Sequence, residues 1–180
     1  MKLASYKGIR SGYMKLGSYA IRLRLFGIYS HSEIVFEPED GVGYLMPDES
    51  CDKTEEGLWS VSSVGLETIP LWSKRRPGKI GGVRFKRIDY SDSTKWDLID
   101  VDFIDPNVAA HTARVYEGAL YDWQLILGFL AWIIPNKKNR FMCSELCALV
   151  LQMEDAHRFD PCVLRATIKT IKDKYVNCTD

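Results

Sequence analysis

Asn139-Arg140-Phe141-Met142-Cys143-Ser144-Glu145-Leu146-Cys147 is the stretch on which the fold of this chain turns. A polar, basic run, Asn136-Lys137-Lys138-Asn139-Arg140, stops there. Leu146, Leu149, Val150 and Met153 then recur three and four residues apart, the spacing of one helix face. Cys143 is therefore expected at the first turn of a helix. Unpaired backbone N–H groups and the positive end of the helix dipole favour an anion at that position. A thiol there should ionise more readily, and the thiolate is the form that attacks a carbonyl carbon. The same N–H groups can hold a developing oxyanion. The competing reading is a small buried residue that opens an amphipathic helix, because free Cys is among the most buried residue types.

Far upstream lies Tyr29-Ser30-His31-Ser32-Glu33-Ile34-Val35-Phe36, followed by Glu37-Pro38-Glu39-Asp40-Gly41. β-Branched and aromatic residues ended by a Pro/Asp/Gly turn predict a strand. Side chains two apart share a strand face, so Tyr29, His31, Glu33 and Val35 are expected to point one way. Ser32, Ile34 and Phe36 then point the other way. A cysteine nucleophile needs a base and a group that orients the base. His31 with Glu33 on the same face fits both roles, the carboxylate reaching the imidazole directly or through one water. The competing reading of His31-Ser32-Glu33 is a half-exposed polar strand face. His111 and His157 sit in helical contexts among ordinary surface residues.

The rest of the chain reads as strands first and helices second. Residues 58–64, 81–88 and 96–104 are expected as strands or extended segments. Residues 1–18, with Gly8, Gly12 and Gly17, read as irregular or as a short first helix. Residues 21–26 alternate apolar and basic, as a strand end or a helix leading into the next strand. Residues 74–79 form a basic loop, usually just solvated, with an anion contact as the alternative. Asp105 caps and Pro106 opens a helix over 108–120. Residues 124–132 look helical up to Pro135, the Cys143 helix is expected to end near 155–159, and 162–174 shows a further short helical pattern. The expectation is one α+β domain over 1–180, strand-rich across 19–104 and helical across 105–175.

Composition sets the outer bounds. The 180 residues suffice for a real core, and 46% hydrophobic with 27% charged residues is ordinary for a globular protein. Lys plus Arg equals Asp plus Glu at 24 each, which argues against a nucleic-acid binder. The five cysteines form no CxxC pair, so zinc-ribbon and disulfide-framework readings are weak, and a reducing compartment is the simpler assumption. No metal-ligand spacing and no cofactor motif stand out. The most apolar run, residues 125–135, is interrupted by Gly128 and is only about half the roughly 20 residues that span a bilayer. It is expected as a buried helix segment, with membrane contact but no span as the lesser reading. Met1-Lys2-Leu3-Ala4-Ser5-Tyr6 lacks an apolar signal core, so a cytoplasmic protein is expected.

Taken together, Tyr29, His31 and Glu33, then Tyr121-Asp122-Trp123, then Phe141, Cys143, Ser144, Glu145 and Leu146 resemble the circularly permuted NlpC/P60-like papain-fold family, the branch with YiiX-type and poxvirus members. In that branch the histidine strand precedes the cysteine helix, as it does here. The resemblance covers roughly residues 29–153. It implies a permuted papain-like fold, an antiparallel sheet packed against helices. It further implies Cys143 as nucleophile and His31 as general base and acid.

Glu33 is the third residue by strand geometry, although the family often takes that group from the next strand, where Ser60 and Ser62 are the polar candidates. Tyr29 is expected near the oxyanion or lining the substrate cleft, with a packed aromatic at a sheet edge as the competing reading, and Ser144 at the helix start on the oxyanion side. Glu145 should face away from the thiol and cap its own helix start or bond a neighbouring loop, Cys147 should be buried, with a resolving thiol as its lesser reading, and Tyr121-Asp122-Trp123 should pack.

The implied activity is a cysteine peptidase or amidase that cleaves an amide or ester bond. Its substrate would be a peptide, a cell-wall peptide included, or an acylated small molecule or lipid. Two alternatives stand beside it. One is a lipid acyltransferase or lipase-like variant that touches lipid through residues 125–134. The other is a binding or virion-structural module with an inert thiol. A cell-wall role would need delivery by other means, such as a phage or virion.

Overall fold

Alternating strands account for the first half of the chain. The computed structural model describes residues 1–9, 19, 22–23, 26–122 and 140–176. Five strands, β1 (Lys2–Tyr6), β2 (His31–Val35), β3 (Leu58–Thr68), β4 (Ile80–Ile88) and β5 (Trp96–Asp100), form an antiparallel sheet in the order β4-β3-β2-β1-β5. Three helices, α1 (Pro106–Tyr116), α2 (Cys143–Val150) and α3 (Pro161–Val176), follow in the described residues. A short parallel pair, β6 (Leu120–Tyr121) with β7 (Arg140–Phe141), stands between α1 and α2. The architecture is α+β.

Register decides which residues share a face. The pairs Leu3↔Ile34, Ile34↔Val61 and Val61↔Phe85 put four large apolar side chains on one side of the sheet. They meet Ala109 and Ala110 of α1, Leu146 and Cys147 of α2, and Leu164 and Ile168 of α3 in one core. Each large apolar side chain fully buried this way contributes about 1.5–3 kcal/mol. The opposite face holds a smaller cluster, Ala4, Val35 and Tyr90, together with the buried polar residues His31, Glu33 and Arg84.

Several expectations change. Residues 2–6 are neither irregular nor helical: they form β1, hydrogen-bonded between β2 and β5. Leu3 and Ala4 enter opposite clusters, so both faces are covered, and five residues are too few for the alternation to register. The strand expected to 104 stops at Asp100. Helix α1 starts as read, with Asp105 accepting the Asn107 N–H at 2.8 Å, but it stops at Tyr116 instead of 120. Gly118 then adopts φ +77° at a point where a Cβ would strike Arg75. Helix α2 ends at Val150, short of 155–159, because Gln152 turns into the left-handed region at φ 55°. In the basic loop, Arg75 and Arg76 donate to the carbonyls of Val115 and Gly81, while Lys74 and Lys79 are exposed.

No described helix is long and apolar enough to cross a membrane. The helix expected over 124–132, the apolar run 125–135 with its lipid contact, Trp123, the basic run 136–139 and Cys178 lie outside the described residues. So do most of 10–25.

Candidate active site

The site forms where two strands part. The β2–β3 ladder has only two registered pairs, Ile34↔Val61 and Val35↔Ser60, extended by the Phe36 N–H to the Trp59 carbonyl at 2.9 Å. Toward His31 the ladder stops, and the backbone of Ser32 finds other partners. Its carbonyl accepts from Ser62 Oγ at 2.7 Å. Its N–H points at the sulfur of Cys143. The first residue of α2 thus occupies the opening between β2 and β3. Ser63 Oγ donates to the Phe141 carbonyl at 2.7 Å and ties the approach to α2 onto β3.

In that opening the Cys143 thiol lies within hydrogen-bonding reach of the His31 ring. More than a hundred residues separate the two in sequence, yet they are buried together, at 7% and 6% exposure. Burial by itself would raise the thiol. The positive charge and hydrogen bond of His31 outweigh it, and the N–H groups of Ser32 and Ser144 add to them, so the thiol sits below its ordinary range. His31 Nε2 in turn lies 3.0 Å from Glu33 Oε1. That contact holds the imidazole by one nitrogen beside the thiol.

Glu33 is fully enclosed and has four partners. Arg84 grips it with two prongs, Nη2 to Oε1 at 3.0 Å and Nη1 to Oε2 at 3.1 Å. Ser60 Oγ donates to Oε2 at 2.6 Å and Tyr90 Oη donates to it at 3.1 Å. Burial would raise this carboxyl, but the Arg84 charge and the hydrogen bond from His31 hold it well below the usual carboxylate range. Ser60 and Ser62 therefore support the site without replacing Glu33. Ser60 binds the acid, and Ser62 Oγ lies 3.4 Å from His31 Nε2 while donating to Ser32.

Tyr29 follows its packed reading. Its hydroxyl donates to Asp97 on β5 and its ring lies under the Arg165 guanidinium at 4.8 Å, so it is not free to serve an oxyanion at Cys143. Strand β2 begins at His31, and the alternation that linked Tyr29 to His31 does not extend back to it. Burial, with the Asp97 contact, pushes the Tyr29 hydroxyl up to about 12. Ser144 divides its parts: the N–H points at the sulfur, while Oγ donates to the Phe159 carbonyl at 2.6 Å.

Glu145 accepts the Met142 N–H at 3.3 Å and so caps its own helix. It lines a cleft of about 700 Å³ beside Tyr116, Leu149 and His157, a lining that does not include Cys143 or His31. Cys147 is buried, its thiol pushed well above the ordinary range by burial and by the nearby Cys143 and Glu33. Asp122 is also buried, its N–H bonded to the Phe141 carbonyl at 3.2 Å. The four described cysteines, Cys51, Cys143, Cys147 and Cys162, are free thiols.

Sequence reasoning missed Arg84 and Tyr90. Arg84 reads as one more cation in an alternating strand and Tyr90 as part of a turn. Glu33 lies more than fifty residues from each, so no local pattern links either to it. Chemically, the arrangement sets a thiol of lowered pKa beside an imidazole, a carboxylate behind that ring, and N–H donors at a helix start. Comparison with protein-family models, curated proteins and solved structures finds no match to this chain.

Proposed function

We propose that this protein is a cysteine hydrolase of papain-like type that cleaves an amide or ester bond, and that its sheet and cysteine helix form a circularly permuted papain-like fold. The observation that carries the reading is the Cys143 thiol held against His31, with Glu33 behind the imidazole. Histidine strand before cysteine helix is also the order of the permuted NlpC/P60-like proteins that the sequence resembles.

The thiolate of Cys143 attacks the substrate carbonyl carbon and forms a C–S bond. The resulting oxyanion is held by N–H groups at the first turn of α2. Imidazolium His31 gives its proton to the leaving nitrogen or oxygen, and the carbonyl–heteroatom bond breaks. Water then attacks the thioester, His31 takes a water proton, and the acid leaves as the thiolate returns. Glu33 stays ionised and keeps the ring oriented throughout. The near-burial of Cys143 and His31 limits bulk water at the sulfur and favours a narrow acyl group.

Intact-mass spectrometry after incubation with a panel of p-nitrophenyl esters and peptide p-nitroanilides tests this reading. One acyl group should accumulate on Cys143 and be absent from Cys143→Ala. An adduct that forms equally on Cys143→Ala, or no adduct and no turnover across the panel, overturns it.

A further inference from the structure

We propose that Arg84 is a positioning residue for the Cys143–His31 pair: its two-pronged grip fixes the plane of the Glu33 carboxylate and keeps that acid ionised against the imidazole. The proposal deepens the cysteine-hydrolase reading and rests on it.

The geometry leaves Arg84 little else to do. It is 1% exposed, and all three guanidinium nitrogens are occupied, two by Glu33 and Nε by Glu67 Oε2 at 3.1 Å. Strand β4 aims it there through the register Ser62↔Arg84, which places it across from the part of β3 that borders the open ladder. A buried carboxylate beside a histidine, without a fixed cation, tends to take up a proton and cease to orient the ring. A guanidinium does not lose its charge and matches a carboxylate with two parallel bonds. The fork also sorts the two oxygens: Oε1 faces His31, and Oε2 faces Ser60 and Tyr90. A lysine would supply the charge without the plane.

The charged and titratable groups around Glu33 are His31 on β2, Arg84 on β4, Tyr90 after β4, and the Cys143 and Cys147 thiols of α2. Glu67 and Lys86 stand behind Arg84. Loss of the guanidinium has one sign by either route. If Glu33 remains ionised, the surroundings of the sulfur become more negative. If Glu33 takes a proton, His31 loses its anion and is a weaker cation for the thiolate. Both routes raise the thiol. A buried ion pair that served stability alone would leave thiol reactivity where it is, since such pairs often give little net stability.

The test is the rate of Cys143 alkylation by iodoacetamide against pH, with the full chain and no substrate. The variants are Arg84→Gln and Arg84→Lys, each with its thermal midpoint. In Arg84→Gln the alkylation limb should move up by about one pH unit, roughly tenfold slower reaction at neutral pH, and Arg84→Lys should restore part of it. A lowered midpoint with an unmoved limb overturns the proposal.

Should the glutamine variant not fold, the wild-type chain still decides: infrared titration with isotope-labelled glutamate should show Glu33 ionised to the lowest pH at which the protein is folded. Titration near the ordinary value of about 4.3 overturns the proposal. A shifted limb in a protein that forms no acyl adduct would retain the positioning role and remove the hydrolase reading.

Discussion

Ser62 Oγ donates to the Ser32 carbonyl at 2.7 Å, in a place where a regular ladder would use a β3 backbone N–H. The hydroxyl substitutes for a lost sheet bond and lets β2 and β3 part beside Cys143. Ser62→Ala should leave a buried carbonyl unpaired and cost about 1–3 kcal/mol in urea denaturation. Ser32 Oγ and Ser5 Oγ are buried without a protein partner among the described residues, so Ser32→Ala and Ser5→Ala should be neutral or mildly stabilising. Equal losses in all three variants would show that the opening is not held by the Ser62 hydroxyl.

Glu33 should dominate the acid behaviour of the fold. Its carboxyl is held well below the usual range in the folded state. A depressed folded value contributes stability that is present above the unfolded value of about 4.3 and is lost as pH falls below it. Glu33→Gln removes one partner of a buried ion pair and should cost about 3–5 kcal/mol at pH 7. The gap in thermal midpoint between wild type and Glu33→Gln should narrow as pH drops from 5 toward 3. A constant gap across that window would place the acid dependence elsewhere.

The four described cysteines should separate by reactivity. Burial pushes Cys51 up to about 11 and raises Cys162, and Cys147 lies well above the ordinary range, whereas Cys143 lies below it. Limited iodoacetamide at pH 7 followed by peptide mapping should therefore label Cys143 first, although Cys162 is more open to solvent. Only at a pH high enough to ionise its raised thiol should the half-buried Cys162 catch up. Faster labelling of Cys162 at pH 7 would mean that accessibility, and not ionisation, controls these thiols.

Tyr29→Phe separates the packing role from the oxyanion or cleft role that the family resemblance had implied. The lost hydroxyl bond to Asp97 should cost about 1–2 kcal/mol and leave the Cys143 alkylation rate unchanged. A drop in alkylation rate of tenfold or more, at unchanged stability, would return Tyr29 to the site.

The features legible in the chain were those with a local cause. Cys143 opens its helix because a polar run gives way there to helical apolar spacing. Glu33 reaches His31 because two residues apart on one strand share a face. The misjudged features depend on distant partners. Strand β1 exists because β2 and β5 flank it, which five residues do not reveal. Tyr29 falls before the first paired residue of β2, so a rule valid inside the strand was carried one turn too far. Arg84 is buried because Glu33 and Glu67 neutralise it, and a buried arginine is indistinguishable in sequence from a surface one. The early end of α2 lies with Gln152, a residue type that gives no stop signal.

The pairing of sulfur and imidazole is tested most directly by the pH profile of Cys143 alkylation in wild type and His31→Ala. Wild type should show thiolate reactivity below the free-thiol value of about 8.5, and His31→Ala should shift the limb to that value or above, because burial then acts unopposed. Superimposable profiles for the two proteins would contradict a thiolate sustained by His31.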